Sequence, residues 1–237
     1  MSERFFVESP IQGHRASLFG AEAHHLLHVM RVQIGQEVTL VDGSGAEFKA
    51  TLENVERNQA DLIIHHRSQV DRELPFHLTL GVALPKGQRQ RWLVEKLVEL
   101  GVNTLVPLNT ERAVAIAETK TLQRLQRTVI EATKQCSRTR LMEITSATNV
   151  HDFFVTTPTD SRRWIAHPGG TQSSVLLEAC ETSSAGYLAI GPEGGFTDQE
   201  VTVATQAGWK MVHLGPRILR TETAAIVLSS LFSCTAV

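Results

Sequence analysis

The sequence predicts an α/β protein preceded by a small β-rich module. From Leu78 onward, short apolar runs alternate with amphipathic stretches, as in a largely parallel sheet flanked by helices. Residues 1–70 instead show the two-residue periodicity of exposed strands. The chain has 237 residues, 42% hydrophobic and 20% charged, which is enough for two folded parts. We therefore expect domains at 1–70 and 74–237, joined by the polar segment 67–73.

The N-terminal module is predicted to contain a hairpin, another strand and one helix. Val38 and Leu40 alternate with polar neighbours, the turn residues 42–45 follow, and the alternation resumes at Phe48. Leu62–Ile64 indicates a further strand, and Ala21–Met30 indicates a helix. This combination favours a small β-barrel or sandwich.

The second part is predicted to alternate strands and helices. Its apolar runs predict strands at 78–84, 102–108, 164–166, 187–190 and 211–214. A helix with Leu93, Leu97 and Leu100 on one face should stop at Gly101. A longer helix should bury Leu122, Leu125, Val129 and Ala132 and expose Lys120, Arg124, Arg127 and Lys134.

Charge is unevenly distributed although the formal net charge is only -2. Residues 73–140 hold 11 Lys and Arg against 6 Asp and Glu, whereas 1–72 hold 7 against 10 and 141–237 hold 5 against 9. The middle segment can therefore present a basic strip to a polyanion. A solvated helix face would give the same composition, and charge alone does not decide between the two.

Export signals, membrane spans and cysteine motifs are lacking from the sequence pattern. The N-terminus has no apolar core with a cleavage site, and no later run is long enough to cross a bilayer. Cys136, Cys180 and Cys234 are odd in number and form no CxxC pair, which indicates neither a disulfide framework nor a zinc site. We expect a cytoplasmic protein with no membrane partner.

Two glycine-containing loops carry the sharpest local signal. IGPEGGF at 190–196 directly follows a strand, and Thr197 with Glu200 then predicts a helix-capping box that starts a helix ending at Gly208. The arrangement repeats where GPRILR at 215–220 follows the next strand and Thr221 can cap the last helix. Such loops at the carboxyl ends of strands form a ligand crevice, although ordinary turns are the alternative. Neither loop has a Rossmann or P-loop spacing.

These loops, IGPEGGF and LGPRILRTETA, resemble those of the SPOUT superfamily of methyltransferases. More narrowly, the chain is similar to the ribosomal RNA small subunit methyltransferase E family over nearly its full length. Further matching segments are HHLLHVMRVQIGQEVTLVDGSG from His24, LPKGQRQRWLVEKLVELGV from Leu84, TER from Thr110, and EATKQCSRTR from Glu131.

The resemblance implies a PUA-like RNA-binding β-barrel at 1–70 and a SPOUT-type α/β domain with a C-terminal trefoil knot at 74–237. A knot is an exception to ordinary topology rules and would not be expected from the pattern alone. The resemblance also implies a homodimer that transfers a methyl group from S-adenosyl-L-methionine to N3 of a uridine in 16S rRNA of the 30S ribosomal subunit, leaving S-adenosyl-L-homocysteine.

By position, the resemblance assigns the methyl donor to three strand ends. The implied donor-binding residues are His167, Pro168, Gly169, Ile190, Gly191, Pro192, Glu193, Gly194, Gly195, Leu214, Gly215, Ile218, Leu219, Thr223 and Ala224. The chain departs from the family pattern at Lys134, where an acidic residue is common, and at Leu141–Met142, where Val-Pro is usual.

Methylation at N3 requires the imide proton to leave and the resulting charge to be stabilised. We predict that Arg220 stabilises this charge and that Glu222, or a water it orders, takes the proton. Helix capping and a surface ion pair would explain the same two residues. Contacts with RNA are expected at Arg31, Lys86, Arg112 and Arg138. Contacts with the partner subunit are the alternative for Lys86, Arg112 and Arg138.

Other interpretations of the sequence remain open. His24, His25 and His28 lack an acidic or cysteine partner at ligand spacing, so a histidine cluster is favoured over a metal site, and no metal is expected. A SPOUT enzyme that methylates ribose 2′-oxygen would share the donor loops. A non-catalytic RNA-binding or ribosome-assembly protein could also retain this fold.

Overall fold

A computed structural model of the protein describes residues 4–113, 118–173 and 185–234. The chain divides into two compact units. The first contains Met1–Glu73 and Ile130–Leu141, and the second contains Leu74–Val129 and Met142–Val237. The first unit thus includes a segment, 130–141, that lies far along the chain from the rest of it.

The first unit contains a five-stranded sheet in the order β1-β3-β4-β5-β2. Only β1 and β3 pair in parallel there; the other pairs are antiparallel. The predicted hairpin is confirmed, because Val38 pairs with Ala50 and Leu40 with Phe48. The strands are β1 Arg4–Phe6, β2 Arg15–Phe19, β3 Glu37–Val41, β4 Ala46–Glu56 and β5 Gln59–Gln69.

The structure differs in detail from the predicted linker at 67–73 and the predicted helix at 21–30. β5 continues to Gln69, so the first three residues of the predicted linker, 67–69, belong to a strand, whereas 70–73 do not. Residues 67–69 fit there because Arg67 pairs with Phe48 and its guanidinium lies 5.7 Å from that ring. The predicted helix is present as α1 Gly20–His24 followed by a π-helical turn, His25–Val29, with Ala23 and Leu26 buried in the core.

The second unit contains a parallel sheet in the order β12-β10-β11-β6-β7-β8, with β9 pairing to β7. Its strands are β6 Leu78–Val82, β7 Thr104–Asn109, β8 Glu143–Ile144, β9 Thr148–Asn149, β10 Arg162–Gln172, β11 Gly186–Ile190 and β12 Lys210–His213. Every residue of β6 is buried, as the continuous apolar run predicts for an interior parallel strand.

Helices follow β6, β7, β11 and β12, as predicted, and another follows β9. They are α2 Gln88–Glu99, α3 Thr119–Gln135, α4 Val150–Thr156, α5 Asp198–Gln206 and α6 Thr221–Cys234. The last residues of α3 belong to the first unit. The helical stretch predicted after β10 falls largely on 174–184, outside the described residues. The predicted stop of α2 is confirmed, since Gly101 adopts φ +83° just beyond its end. The expected exposure of Lys134 in α3 is wrong: this residue is buried, and its Nζ lies 2.6 Å from Glu22 Oε1 within the first unit.

Aromatic residues form much of the core beside the C-terminal strands. Phe153 and Phe154 on α4 contact Trp209, and Phe154 also meets Phe196 edge to face at 5.8 Å between ring centroids. The indole N–H of Trp209 donates to the Phe154 carbonyl at 3.1 Å. These contacts anchor the chain directly after the first glycine loop.

Three further expectations concern the cysteines, membrane-spanning helices and metal sites. Cys136 is a free thiol, whereas Cys180 lies outside the described residues. Within 4–113, 118–173 and 185–234, no helix combines the length and apolar character needed to cross a bilayer. The same residues contain no group of three or more His, Cys, Asp or Glu side chains placed to hold a metal ion.

Candidate functional site

The sheet order brings the three expected donor segments together. β12, β10 and β11 are neighbours, and the segments 214–219 and 190–195 lie at or beyond the carboxyl ends of β12 and β11. Residues 167–169 lie within β10, just after Ile165, the last residue that pairs with β11. In parallel sheets this edge is where ligand crevices form. The structure therefore places all three segments at one edge of the second unit.

The first donor loop, residues 190–195, is held at both of its ends. Ile190 ends a buried strand, and the Phe196 ring is buried against Phe154. Gly195 adopts φ +69° and donates its N–H to the Pro192 carbonyl at 2.8 Å, closing a turn that favours glycine. A Cβ at Gly191 would lie 3.1 Å from the Phe196 nitrogen, so this position also requires a small residue.

The helix after this loop begins as the sequence predicts. The Thr197 hydroxyl accepts from the Glu200 N–H, and the Glu200 carboxylate accepts from the Thr197 N–H, which confirms the capping box. The other Glu200 oxygen accepts the N–H of Glu111 at 2.9 Å. Because Glu200 is buried, one carboxylate fixes both the start of α5 and the turn that carries Arg112.

The start of α6, just after the second donor loop at 214–219, is joined to the first donor loop by a hydrogen bond. The Thr221 hydroxyl donates to the Gly191 carbonyl at 3.3 Å. Gly215 adopts φ +102°, and Ile218 is 99% exposed. Sequence reasoning expected the Thr221 hydroxyl to cap α6, whereas in the structure this hydroxyl donates across to the neighbouring loop.

The third segment, residues 167–169, together with Gly170 interrupts the pairing of β10 with β12. Ala166 and Thr171 both pair with Val212, so the four residues between them bulge out of the β10–β12 pairing. A Cβ at Gly170 would lie 2.4 Å from the Val212 nitrogen, a distance that no side chain tolerates. The chain therefore passes directly against the β12 backbone at Gly170.

Two histidines shape the second and third segments in the same way. His167 Nδ1 accepts the N–H of Gly169 at 3.1 Å, and His213 Nδ1 accepts the N–H of Gly215 at 3.2 Å. An accepting Nδ1 leaves the ring hydrogen on Nε2 in the neutral form. His167 was expected at this site, but His213 was not, since a single histidine at a strand end gives no distinctive pattern.

Arg89 is a site residue that the sequence analysis missed. Its Nη1 atom lies 3.2 Å from Glu193 Oε1 and 3.5 Å from Glu222 Oε2, so it connects the first donor loop with the start of α6. The Glu222 side chain is only 6% exposed, and its Oε2 accepts no hydrogen bond in the structure as described. The sequence feature that could have identified Arg89 is its position in the segment LPKGQRQR, just beyond β6, the strand next to β11.

Two of the expected RNA-binding residues lie beside the first donor loop. The Arg112 guanidinium donates to the Gly194 carbonyl at 2.9 Å. Lys86 is exposed and lines a cavity of about 180 Å³ together with Arg89 and Glu193. Both side chains can contribute positive charge near the donor segments.

The other expected functional residues are placed differently. Arg220 is exposed, and its side chain makes no hydrogen bond or ion pair within the described ranges, so it does not pair with Glu222. Thr223 is exposed and Ala224 is half-buried on the first turn of α6. Arg31 and Arg138 belong to the first unit; Arg31 is exposed, whereas Arg138 is buried and ion-paired with Glu73.

Comparison with known families and proteins gives concordant matches. A family model described as an RNA methyltransferase domain matches residues 72–233, and one described as an RNA methyltransferase PUA domain matches residues 19–64. Proteins named ribosomal RNA small subunit methyltransferase E are similar over most of the chain. The one from Synechocystis is 33% identical, covering 89% of this chain and 70% of that protein, and the one from Bacillus subtilis is 26% identical, covering 98% and 96%.

Solved structures share the complete fold. A ribosomal RNA small subunit methyltransferase E from Neisseria gonorrhoeae, bound to S-adenosyl methionine, superimposes with a TM-score of 0.89 at 31% identity, covering 97% of this chain and 96% of that chain. A Legionella pneumophila protein in complex with the bound cofactor SAM gives a TM-score of 0.90 at 29% identity, covering 99% and 98%.

Proposed function

Because the chain belongs to the ribosomal RNA small subunit methyltransferase E family, we propose that it transfers a methyl group from S-adenosylmethionine to N3 of a uridine in 16S rRNA of the 30S subunit. The observation that carries this proposal is the meeting of the donor segments at one sheet edge, where Thr221 donates to the Gly191 carbonyl. The identity of the base and of the ring atom rests on the family resemblance.

The donor segments fit an adenosine-containing ligand. A Cβ at Gly195 or Gly215 would meet no atom of the described residues within 4 Å, so these residues leave space in front of both loops. Ile218 offers an exposed apolar side chain beside it, and the loop backbones offer N–H and C=O groups. The proposed donor contacts remain those at 167–169, 190–195, 214–215 and 218–219, with Thr223 and Ala224.

Three features of the architecture belong to the same proposal. The first unit is proposed to act as a PUA-like RNA-binding barrel, and the second as a knotted SPOUT domain. The close passage of Gly170 against Val212 supports a crossing of the chain at this point. A homodimer is proposed from the family resemblance.

The acceptor chemistry requires a proton to leave N3 and the ring charge to be stabilised. The donor, when bound, supplies an electrophilic methyl group on a sulfonium sulfur. We propose that Arg220 approaches the ring oxygens, which its exposed side chain permits, since it has no partner among the described residues. Glu222, or a water it orders, would take the proton, and its buried Oε2 without a hydrogen bond supports such a role.

Contacts with the RNA are proposed at exposed cations. Lys86 and Arg112 lie near the donor segments, and Arg31 is exposed on the first unit. Phosphate contacts position the RNA and make its binding dependent on salt. Arg138 is ion-paired with Glu73, so we propose for it a structural contribution to the first unit that indirectly supports RNA binding.

The proposal can be tested with labelled S-adenosylmethionine and 30S subunits from cells that lack the modification. Nuclease digestion and mass analysis should identify 3-methyluridine in 16S rRNA. A methyl group on ribose would instead indicate a 2′-O-methyltransferase. Donor binding without methyl transfer, on both 30S subunits and naked 16S rRNA, would support a non-catalytic assembly protein.

The proposed role of Arg220 has a matched control in the same loop. Arg220→Ala should reduce turnover by about 100-fold, the size of effect found for loss of one charge-stabilising donor. Arg217→Ala, which removes another exposed arginine of this loop, should leave turnover nearly unchanged. Full turnover of Arg220→Ala with normal RNA binding would show that the assignment is wrong.

A further inference from the structure

A cavity of about 180 Å³ lies at the carboxyl end of β6, next to the first donor loop. Ala83, Leu84 and Pro192 contribute apolar surface to it, and Lys86, Arg89 and Glu193 contribute charged groups. Pockets for drug-sized ligands have volumes of roughly 300–1,000 Å³. The cavity is therefore suited to a small flat group rather than to a complete nucleotide.

This cavity lies at the end of a different strand from the donor segments, and it shares one wall with the first donor loop. The sheet order is β12-β10-β11-β6. The donor segments follow β12 and β11 and lie in the part of β10 beyond its pairing with β11, whereas the cavity lies at the end of β6. Pro192 and Glu193 belong to both the first donor loop and the cavity wall. Methyl transfer requires donor and acceptor to be adjacent and aligned, which this arrangement allows.

The charge of the cavity favours the acceptor over the donor. Lys86 is exposed and makes no ion pair in the part of the chain that the structure describes, and Arg89 adds a second cation. Within the cavity wall these two cations outnumber the one carboxylate, Glu193, and the excess positive charge disfavours a sulfonium and favours a group that becomes negative during the reaction. The buried Glu222 carboxylate holds Arg89 from one side at 3.5 Å, and Glu193 holds it from another at 3.2 Å.

We infer that this cavity receives the acceptor pyrimidine ring and that Arg89 donates a hydrogen bond to one of its carbonyl oxygens. The inference rests on the proposed function and adds to it the place of the acceptor base. The edge of a paired uridine is hidden in a duplex, so the base must be unpaired or flipped out to enter. The apolar walls would then contact the faces of the ring.

In this arrangement Arg89 stabilises the charge that deprotonation creates. The N3–H bond breaks, its proton passes to Glu222 or an ordered water, and its electron pair stays with the ring, where the oxygens share the negative charge. The N3–CH₃ bond then forms as the CH₃–S bond breaks, and that electron pair remains on sulfur as a neutral thioether. A guanidinium at a ring oxygen favours the anion that precedes transfer.

The experiment compares Arg89→Met and Lys86→Met with Arg91→Met in the full-length protein. Arg91 lies on the same helix, is largely exposed and pairs with Glu95, so its variant controls for loss of a cation from α2. Calorimetry measures the Kd for S-adenosylmethionine, and steady-state kinetics with unmodified 30S subunits measure kcat and KM. Thermal unfolding shows whether each variant folds.

We expect Arg89→Met to change the donor Kd by less than about 3-fold and to lower kcat/KM for the RNA by about 100-fold, as for loss of one oxyanion donor. Its pH–rate profile should also shift by about 1 unit or more to higher pH, since the ring loses a nearby positive charge. RNA containing 5-fluorouridine, whose N3–H is more acidic, should recover part of the lost activity. A purely structural role for Arg89 predicts neither change.

The outcomes separate this inference from the proposed function. If the wild-type protein binds the donor but methylates no RNA, the proposed function fails. If the wild type is active and Arg89→Met loses donor binding in proportion to activity, the cavity belongs to the donor and the inference is wrong. An equal loss in Arg91→Met would also overturn it. If Arg89→Met does not fold, Lys86→Met decides, since a lowered kcat at saturating RNA with unchanged donor Kd supports the inference, and a change confined to KM, or full activity, contradicts it.

Discussion

At the scale of single residues, the last turn of α3 carries a lysine whose Nζ lies between two carboxylates. Lys134 Nζ is 2.6 Å from Glu22 Oε1 and 3.1 Å from Glu131 Oε1. Its side chain is 7% exposed, and that of Glu22 is 16% exposed. Glu22 also accepts the Phe6 N–H with its other oxygen at 2.9 Å. The lysine therefore neutralises a largely buried carboxylate that also holds β1.

Replacing this lysine should destabilise the first unit strongly. Lys134→Met leaves Glu22 buried without its cation, and we expect a loss of about 3 kcal/mol in the free energy of unfolding measured with urea. Glu131→Ala should change stability by less than about 0.5 kcal/mol, because that carboxylate is 62% exposed. A double variant, Lys134→Met with Glu22→Gln, should recover part of the loss. Equal effects of the two single variants would contradict this account.

Glu47 links the stability of the first unit to pH. Burial would raise the pKa of Glu47, but hydrogen bonds from Arg72 and Arg4 and their positive charges outweigh it, so the pKa lies below its ordinary value of 4.5. A carboxylate with a lowered folded-state pKa contributes stability above its unfolded pKa and loses it as pH falls through the folded-state value. We therefore expect the unfolding free energy to fall below about pH 4.5. Glu47→Gln should show a smaller decrease over the same range.

At the scale of the element, the sequence predicts strands and helices correctly where burial sets the periodicity of apolar residues. The apolar run of β6 and the capping box of α5 are both present as predicted. The predicted exposure of Lys134 is wrong because a helical pattern identifies the polar face of a helix but not the residues that pack against that face. Arg89 was missed for a related reason, since its partners Glu193 and Glu222 are more than one hundred positions away in sequence.

The close approach of Gly170 to the Val212 backbone predicts the effect of a substitution at the edge of the sheet. Gly170→Ala places a Cβ 2.4 Å from a backbone nitrogen, and a backbone cannot rotate away as a side chain can. We expect a loss of about 2 kcal/mol or more in unfolding free energy, together with weaker donor binding by calorimetry. Gly169→Ala is the control, because its Cβ would approach only the His167 side chain, at 3.3 Å. If Gly170→Ala is as stable and as active as Gly169→Ala, the backbones do not meet this closely.

At the scale of the whole molecule, the sequence indicated two domains but not the discontinuity of the first. The predicted boundary near residue 70 reflects a change from two-residue periodicity to alternating strands and helices, and it assigns residues 130–141 to the second domain, 74–237. Their long-range contacts place them in the first unit: Arg138 pairs with Glu73, and the Arg72 guanidinium donates to the Ser137 carbonyl at 2.7 Å. Local pattern carries no information on such pairs.

This discontinuity predicts that residues 1–73 do not form a stable domain alone. The fragment would lack the Thr139 hydroxyl that donates to the Val70 carbonyl at 2.8 Å, the Thr139 carbonyl that accepts from Gly45, and the cationic partners of Glu22 and Glu73. Each buried polar group left unpaired costs about 1–3 kcal/mol, and a domain's total stability is only about 5–15 kcal/mol.

Heteronuclear NMR of the isolated fragment should therefore show poorly dispersed amide signals. A fusion that joins 1–73 to 119–141 through a flexible Gly/Ser linker should restore dispersion, because it returns the missing contacts in the same chain. The same fusion carrying Lys134→Met should restore it less completely. If fragment 1–73 alone gives a dispersed spectrum and a cooperative unfolding transition, segment 130–141 is an accessory to the first unit and its contacts do not determine that unit's folding.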